Sequence, residues 1–404
     1  MKHEPFQDIL LSQRFLPEHG GSIRWMHEVY RRWPRPVVVI THNYYDFPPR
    51  VPEFPHQPQR PAAGDHVSDP NLKIERHDVF LHDWGLQSLH NMRRYWRFGR
   101  AVGRHLREHP GVCVHCTHAL PEVFALWRLR MHYGKRVRIV CYAHGEEITA
   151  ARSSRQLLWM MNRAYAISDV LIANSNYTAN LLREHADEKK IHVVHPGVEV
   201  SEFATAEEAG QRWRREHGYE DRLIVLTLGR LDPRKNQGAV VAAIGRLRER
   251  FPNVLYVAAG EGRQAEALRR QAQELGLGGH VLFTGAVDGE LRRALYGACD
   301  LFAMPAIRDG TDVEGFGLVF LEAGACGKPS VAGCEGGQAD AVEDGKTGLV
   351  ADGTNGQAVA DAMGKLLGNK GLRDQLGAAA RVKAREHDWP RVVQRTVDVV
   401  EKQG

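Results

Sequence analysis

The sequence predicts an α/β protein with two domains, each a parallel sheet flanked by helices. Short apolar segments alternate with longer amphipathic segments along most of the chain, a pattern typical of parallel sheets covered by helices. The chain has 404 residues, which is too long for one ordinary domain and suits two of about 200. Glycine-rich turns follow several predicted strands, where open parallel sheets bind their ligands.

The first half contains five predicted strands and five predicted helices. The strands are 37–41, 112–116, 137–142, 170–173 and 191–194, and the helices are 21–33, 95–108, 121–133, 154–168 and 178–185. A long Pro-rich segment, 43–70, interrupts this pattern, and loops of this length inside a domain are usually functional. We interpret it as a functional loop.

The second half repeats the alternation. Its predicted strands are 223–228, 254–259, 280–284, 301–303 and 328–332, and a helix is predicted over 237–250. A polar segment at 199–209 follows a Pro-Gly turn and marks the boundary. We therefore predict domains at 1–200 and 201–385, with 386–404 as a final helical segment.

Composition excludes several classes of protein. No segment approaches the roughly 18 consecutive apolar residues that a membrane-spanning helix needs. Glu4 and Asp8 precede the apolar stretch near the N-terminus and argue against a signal peptide. Six cysteines are too few for a disulfide framework in a chain of this length. We expect a cytoplasmic protein.

The segment 308–337 is the most informative part of the sequence. Glu314 and Glu322 lie eight residues apart around the turn Gly315-Phe316-Gly317, which leads into an apolar helix near Leu318. Glycine lets the backbone approach a ligand closely, and a helix N-terminus attracts anions such as a diphosphate. The two carboxylates would accept hydrogen bonds from sugar hydroxyls.

A second turn supplies cations. Arg230 and Lys235 lie five residues apart after the predicted strand 223–228, so both can reach one phosphate group. Arginine binds phosphate through a planar fork and lysine as a point charge. Two cations in a loop are usually only a solvated surface, but their combination with the Glu314/Glu322 turn favours an anion site.

Together these motifs resemble glycosyltransferase family 4, the retaining, nucleotide-sugar-dependent enzymes of GT-B fold. The resemblance extends over nearly the whole chain, in the family's order, and is closest to phosphatidylinositol mannosyltransferases and polysaccharide-building relatives. Its motifs are Gly20-Gly21, His144-Gly145, Asn174-Ser175, Pro196-Gly197-Val198, the Arg230/Lys235 loop, Gly260-Glu261-Gly262, Phe283-Thr284-Gly285 and the Glu314/Glu322 segment. One departure is Glu199, where the family usually has aspartate.

The resemblance implies two Rossmann-like domains facing a central cleft, with the final helix crossing back to the first domain and hinge closure over the substrate. It implies that Glu322 binds the ribose and Glu314 the donor sugar, with the backbone of Gly315, Phe316, Gly317 and Leu318 contacting sugar and diphosphate. Arg230 and Lys235 would stabilise the leaving phosphate. In the first domain, Gly20 and Gly21 would approach the phosphates, and His144 would contact the donor sugar.

No metal or other cofactor is expected. Metal-dependent glycosyltransferases of the other main fold hold their metal with an Asp-x-Asp motif, and this sequence has none. Glu314 is not expected to be a nucleophile, because in this family the leaving phosphate is thought to take the acceptor's proton. The motif Cys113-x-x-Cys116 lies in a predicted strand without a second cysteine pair, so we expect buried structural cysteines.

The two halves differ in charge. Residues 1–200 contain 27 Lys and Arg against 20 Asp and Glu, and the remainder contains 27 against 29. An anionic acceptor or surface is therefore expected at the first half, and we interpret the Pro-rich segment 43–70 as a loop on this acceptor side. Segment 91–108 of the first half carries six arginines mixed with aromatic residues, and five of them share one helical face: Arg93, Arg97, Arg100, Arg104 and Arg107. An anionic membrane and an ordinary surface helix both fit this pattern, whereas no nucleic-acid-binding module accompanies it.

Several alternatives remain open. Mannose from GDP-mannose is the first choice of donor, with a UDP-hexose close behind, and the acceptor could be lipid-linked, a carbohydrate or a small molecule. A nucleotide-sugar epimerase or phosphorylase of the same architecture, or a non-catalytic sugar-nucleotide-binding protein, is also compatible with the motifs. A dinucleotide enzyme is disfavoured, because no Gly-x-Gly-x-x-Gly follows the first predicted strand.

Overall fold

The computed structural model describes residues 8–18, 20–43, 69–109 and 111–402. Most of the Pro-rich segment, 44–68, lies outside the described residues, and so does the N-terminal stretch 1–7. The interpretation of 43–70 as an acceptor-side loop therefore stays a prediction. Within the described ranges, no helix is both long and apolar enough to cross a membrane.

Seven parallel strands form the first sheet, in the order β3-β2-β1-β4-β5-β6-β7. Nearly all residues of the five central strands are buried, because a parallel sheet is covered on both faces, whereas those of the edge strands β3 and β7 are mostly half-buried. The strands are β1 (Asp8–Leu11), β2 (Val37–His42), β3 (Leu72–His77), β4 (Cys113–Cys116), β5 (Arg138–Ala143), β6 (Val170–Ala173) and β7 (Ile191–Val193).

Six parallel strands form the second sheet, in the order β10-β9-β8-β11-β12-β13. These strands are β8 (Leu223–Leu228), β9 (Val254–Ala259), β10 (Val281–Gly285), β11 (Leu301–Met304), β12 (Ser330–Gly333) and β13 (Gly348–Ala351). From β8 the chain adds strands first on one side (β9 and β10) and then on the other (β11, β12 and β13). The turns that follow β8 and β11 therefore lie next to each other at the carboxyl edge of the sheet.

Helices connect the strands. Those of the first part are α1 (Gly21–Tyr30), α2 (Leu89–Glu108), α3 (Trp127–Tyr133), α4 (Glu146–Ala151), α5 (Arg155–Ile167) and α6 (Asn176–Arg183). Those of the second part are α7 (Ala206–His217), α8 (Gln237–Leu247), α9 (Ala265–Glu274), α10 (Gly289–Ala298), α11 (Leu318–Ala325), α12 (Gln338–Ala341), α13 (Gly356–Leu367), α14 (Lys370–Glu386) and α15 (Trp389–Glu401).

The chain divides into two units. Unit 1 contains the first sheet and consists of the chain up to His195 together with the C-terminal segment from Pro390. Unit 2 consists of residues Pro196 to Trp389. In unit 1, α2, α3, α5 and α6 pack on one face of the sheet and share one apolar core with it. In unit 2, one core lies beneath α7, α10 and α11 and another beneath α8, α9 and α13.

Two glycines bring α7 and α10 into backbone contact. A Cβ added at Gly210 would lie 2.3 Å from the backbone nitrogen of Ala298, and one added at Gly297 would lie 1.7 Å from the carbonyl oxygen of Ala206. Neither position has room for a side chain. The pair therefore fixes how α10 sits against α7.

The predicted fold class is confirmed, with corrections to individual elements. Strands β1, β3 and β13 and helix α4 were not predicted, and no bounds were predicted for α7, α9, α10, α12, α13 and α14. The single helix predicted over 121–133 was wrong: a π-helical turn over Ala119–Val123, with non-helical Leu120, precedes the separate helix α3. The strand that carries Cys113 and Cys116 is confirmed, and both thiols are buried and unpaired.

Candidate active site

The turn after β8 carries the predicted cations of unit 2. Gly229 follows the strand with φ 149°, Pro233–Lys235 forms a 3-10 turn, and Asn236 adopts a left-handed conformation with φ 57° before α8 begins. The Asn236 amide donates to the carbonyl oxygens of Pro305, at 2.9 Å, and Gly353, at 2.8 Å. One side chain thus ties the β8 turn to the segments that follow β11 and β13.

The predicted glycine turn opens α11 as expected. Gly317 is the N-cap of the helix and has φ 97°, and a Cβ there would lie only 2.6 Å from the ring of Phe320. No side chain caps this helix end, so its first N–H groups are available to an anion. Phe316 is buried in the core beneath α11, whereas Leu318 is half-buried at the first position of the helix.

Glu314 lies between two cations. Its Oε2 accepts hydrogen bonds from the Lys235 ammonium and the Arg234 guanidinium, and Arg234 also donates to Asp312 at 2.9 Å. Burial opposes ionisation of Glu314, but the two neighbouring charges outweigh it and lower its pKa to about 2. Burial lowers the pKa of Lys235, against the opposing attraction of Glu314. We call Arg234, Lys235, Asp312 and Glu314 the Glu314 cluster.

Arg230 lies at the open side of this cluster. Its side chain is 69% exposed and 3.3 Å from Asp232, and its charge is among those that lower the pKa of Lys235. Arg230 and Lys235 thus lie in the same turn, and their charges repel each other. Lys235, Glu314 and the N-terminus of α11 lie together at one edge of the second sheet, and the joint action of Arg230 and Lys235 on one anion stays a prediction.

Glu322 occupies a separate polar pocket on the second turn of α11. It is 3% exposed, and its two oxygens accept hydrogen bonds from Arg292 at 2.8 Å and from the Tyr296 hydroxyl at 2.7 Å. Both donors lie on α10, and Arg292 also contacts Glu202. The carboxylate is thus held in one orientation by groups that the sequence analysis did not identify.

In unit 1, Gly20 and Gly21 lie at the exposed N-terminus of α1. Gly20 is the N-cap, with extended backbone and no side-chain cap, and its carbonyl oxygen accepts from the Arg24 amide at 2.9 Å. His19, which precedes this pair, lies outside the described residues. The backbone groups of Gly20 and Gly21 are therefore accessible to a ligand.

His144 follows β5 directly and is buried. Its Nε2 lies 3.0 Å from the Thr117 carbonyl oxygen, which can only accept, so Nε2 carries the proton and Nδ1 is the acceptor. Burial and the adjacent charge of His118 lower the pKa of His144 to about 3. His144 is therefore neutral near pH 7 and can accept a hydrogen bond from a hydroxyl group.

His118, which the sequence analysis passed over, has the opposite protonation preference. Its ring lies 4.7 Å from that of His144, and its Nδ1 lies 3.7 Å from the buried carboxylate of Glu122. Burial opposes protonation, but Glu122 outweighs it and raises the pKa of His118 to about 9. Glu122 is held by the Gln13 amide at 2.7 Å and the Thr117 hydroxyl at 3.0 Å. We call His118, Glu122 and His144 the histidine cluster.

Among the described residues, one group could offer three ligand atoms to a metal ion. Asp8, Cys113 and His115 place these atoms within 4.8 Å of one another. Asp8 and Cys113 are the first residues of β1 and β4, so the group lies at the opposite end of the sheet from His144. The guanidinium of Arg35 already neutralises Asp8 at 3.0 Å, which weakens its attraction for a cation.

Two family models match this chain. Residues 19–202 match Glycosyltransferase Family 4, and residues 210–383 match Glycosyl transferases group 1. A GDP-mannose-dependent alpha-(1-6)-phosphatidylinositol monomannoside mannosyltransferase of Mycolicibacterium smegmatis is 37% identical over 60% of this chain and 64% of its own length. The chain thus spans just under two thirds of that relative.

A D-inositol 3-phosphate glycosyltransferase of Actinosynnema mirum is 34% identical over 74% of this chain and 69% of its own length. Among solved structures, Anabaena HepE in complex with UDP superposes with a TM-score of 0.77 at 18% identity, covering 98% of this chain and all of that one. The fold of two parallel-sheet units is therefore that of GT-B proteins. The chain belongs to glycosyltransferase family 4.

Proposed function

We propose that the protein is a retaining glycosyltransferase that moves a hexose from a nucleoside-diphosphate sugar to an acceptor hydroxyl. The observation that carries this proposal is the Glu314 cluster beside Arg230 and the uncapped N-terminus of α11. Departure of a nucleoside diphosphate builds negative charge on its terminal phosphate. Arg230, Lys235 and the N-terminus of α11 would stabilise that charge where it develops.

Each carboxylate is proposed to contact a different part of the donor. Glu314 is ionised and lies beside Lys235, so it can accept from hydroxyls of the donor sugar while the ammonium faces the phosphate. Glu322 is proposed to accept from the ribose hydroxyls. The backbone of Gly315, Phe316, Gly317 and Leu318 keeps its proposed role toward sugar and diphosphate.

Retention is proposed to occur on one face of the sugar. The bond between the anomeric carbon and the phosphate oxygen breaks, the acceptor oxygen bonds to the same face, and the leaving phosphate takes the acceptor proton. The hydrogen bonds that Glu314 accepts from Lys235 and Arg234 make it a weak nucleophile. Metal-independent turnover is part of this proposal, because protein cations already neutralise the leaving group.

In unit 1, the roles of Gly20, Gly21 and His144 are proposed from the family resemblance. His144 is suited to a sugar hydroxyl, because its Nδ1 is an acceptor and its pKa keeps the ring neutral. The acceptor is proposed to be lipid-linked, with carbohydrate and small-molecule acceptors as alternatives. The protein would then act peripherally at the inner face of a membrane.

GDP-mannose is the donor that we propose first. Support comes from the mannosyltransferase relative, whose name specifies GDP-mannose, whereas HepE was solved with UDP. The test is a thermal-shift comparison with GDP, UDP and ADP, because a ligand that binds the folded state raises the melting temperature. We expect the largest increase with GDP. A larger increase in melting temperature with UDP would indicate that the donor is a UDP-hexose and not GDP-mannose.

Hydrolysis of the donor sugar without acceptor separates an enzyme from a binding protein. Slow release of hexose from GDP-mannose or a UDP-hexose is expected for the wild type and should fall strongly in K235A. Binding of the nucleotide without any hydrolysis or transfer would contradict the enzymatic proposal.

An absorbance spectrum of the purified protein tests the phosphorylase alternative, because it would reveal the pyridoxal group that a phosphorylase requires.

A further inference from the structure

Three helices of unit 1 form one continuous surface. The helices α2, α3 and α5 pack on the same face of the first sheet and share its core. A Cβ at Gly99 of α2 would lie 3.0 Å from the Ala125 carbonyl oxygen, and one at Gly103 would lie 3.2 Å from Leu129 of α3. Gln156 of α5 accepts from the Leu86 amide at 3.0 Å, three residues before α2 begins. We call the outer side of these helices the three-helix face.

The charge of this face is almost entirely positive. Six Arg lie in α2, two in α3 and two in α5, and Lys135 and Arg136 lie in the turn after α3, whereas Glu108 is the single acidic residue in these segments. Asp78 pairs with two of the cations and Asp169 with one. The others are all exposed and form no ion pair with any residue that the structure describes: Arg93, Arg100, Arg104, Arg107, Arg128, Lys135, Arg136, Arg155 and Arg163.

Large apolar side chains are exposed between these cations. Leu89, Met92 and Trp96 on α2 are 74%, 51% and 54% exposed, Met131 on α3 is 65% exposed, and Trp159 on α5 is 50% exposed. Across the described ranges, only Leu275 and Val382 of unit 2 are comparable. Single exposed apolar residues are ordinary, but five on one layer of helices indicate an interaction surface.

Aromatic and arginine side chains are in contact along the face. The guanidinium of Arg100 lies 5.0 Å from the Trp96 ring, and that of Arg163 lies 5.2 Å from the Trp127 ring. Trp127 in turn packs against Trp159 at 5.9 Å. Tryptophan with one side in water and arginine with an apolar stem both favour the boundary between lipid headgroups and acyl chains.

We infer that the three-helix face docks on an anionic lipid bilayer. Unpaired cations would bind the negative headgroups, and Leu89, Met92, Trp96, Met131 and Trp159 would enter the interfacial region. A nucleic acid would match the charge but leaves the exposed Leu and Met side chains without a partner. Docking would bring the enzyme to a lipid-linked acceptor, and only this purpose of the docking rests on the proposed function.

The test is co-sedimentation of the full chain with vesicles. We expect binding to vesicles that contain phosphatidylglycerol, little binding to phosphatidylcholine alone, and weaker binding at high salt. The variant R100E/R104E/R107E should bind at least tenfold more weakly, and W96A/W159A should also lose binding. The matched control is R215E/R250E/R270E, which makes the same charge change at exposed positions of unit 2 and should bind like the wild type.

Equal binding of the two triple variants would overturn the inference, and so would wild-type protein that ignores anionic vesicles or binds RNA instead of them. Circular dichroism and melting temperature verify that each variant is folded. Donor hydrolysis in solution, measured on the same samples, separates this inference from the proposed function. Failed vesicle binding with intact hydrolysis contradicts only the docking surface, whereas vesicle binding without hydrolysis contradicts only the enzymatic proposal.

Discussion

The carboxyl edges of the two sheets have the same architecture and different chemistry. At the edge of the second sheet, Lys235 and Arg234 surround the ionised Glu314, and a helix N-terminus opens beside them. At the edge of the first, the neutral His144 lies against the charged His118, and Glu122 is buried below. One edge is suited to a diphosphate and the other to hydroxyl groups.

The parallel sheet therefore supplies position, whereas the turn residues supply the chemical groups. Both edges place a positive-φ glycine near the start of a helix, Gly145 before α4 and Gly317 before α11. In unit 2 the cations lie next to that helix end, and in unit 1 a carboxylate and histidines do. Each environment should therefore respond to its own substitutions and its own range of pH.

The largest effect is expected from removing Lys235. In K235A, kcat should fall roughly 100-fold or more, because a positioned charge that stabilises the leaving group is lost. Turnover with the donor sugar measures this. K370A, at an exposed lysine of the same unit, is the control and should keep full activity. Near-wild-type turnover of K235A would remove Lys235 from the mechanism.

A smaller effect is expected from Glu322. In E322Q, the Kd for the nucleoside diphosphate should rise about tenfold, since a hydrogen bond to a charged group contributes about 1.5–3 kcal/mol and 1.4 kcal/mol corresponds to a factor of ten. Titration calorimetry measures it, with E274Q on the exposed side of α9 as control. An unchanged Kd in E322Q would show that the ribose binds elsewhere.

The two edges should respond to different ranges of pH. The pKa of Glu314 is lowered from 4.5 to about 2, so its contribution to stability is present above pH 4.5 and is lost as the pH falls toward 2. The pKa of His118 is raised from 6.5 to about 9, so its contribution is present below pH 6.5 and is lost as the pH rises toward 9.

The contribution of His118 is tested by measuring the melting temperature and the histidine NMR titration between pH 6.5 and about 9. In E122Q, the pKa of His118 should fall and the loss of stability above pH 6.5 should weaken. E146Q is the control, because Glu146 contributes less to that pKa. A His118 that titrates near 6.5 in the wild type would contradict the proposed pairing with Glu122.

The smallest effect, none at all, is expected from a chelator. Arg230, Lys235 and the N-terminus of α11 supply the positive charge that a metal ion would otherwise provide, so EDTA should leave kcat unchanged. Loss of activity in EDTA, with recovery on addition of magnesium or manganese, would contradict metal-independent turnover. The measurement needs only the donor-hydrolysis assay.

The sequence predicted features that are encoded locally. The turn from Glu314 to the first residue of α11 was predicted because glycine and an apolar helix are recognisable in a few adjacent residues. The burial of Cys113 and Cys116 followed in the same way from their place in a strand. Strand β3 was missed because its polar, half-buried residues are typical of an edge strand, whereas β1 and β13 were missed although other four-residue strands such as β4 and β6 were predicted.

The sequence brought the Lys235 and Glu314 turns together through the order of motifs, but it did not predict which side chains contact them. Arg234 lies next to Lys235 in sequence, yet its role depends on Glu314 approaching from 80 residues away. The orientation of Glu322 depends on Arg292 and Tyr296, which reach it only because α10 packs beside α11 on the same core. The helix predicted over 121–133 was wrong at its start, because Leu120 has non-helical backbone and a separate π-helical turn precedes α3.

The glycine contact between α7 and α10 has a consequence for where mutations act. Because Gly210 and Gly297 admit no side chain, even alanine at either position would push the two helices apart. Arg292 and Tyr296 would move with α10 and release Glu322 from its orientation. A methyl group added at this helix crossing, away from Glu322 along the chain, would thereby weaken the contact that we propose between Glu322 and the ribose.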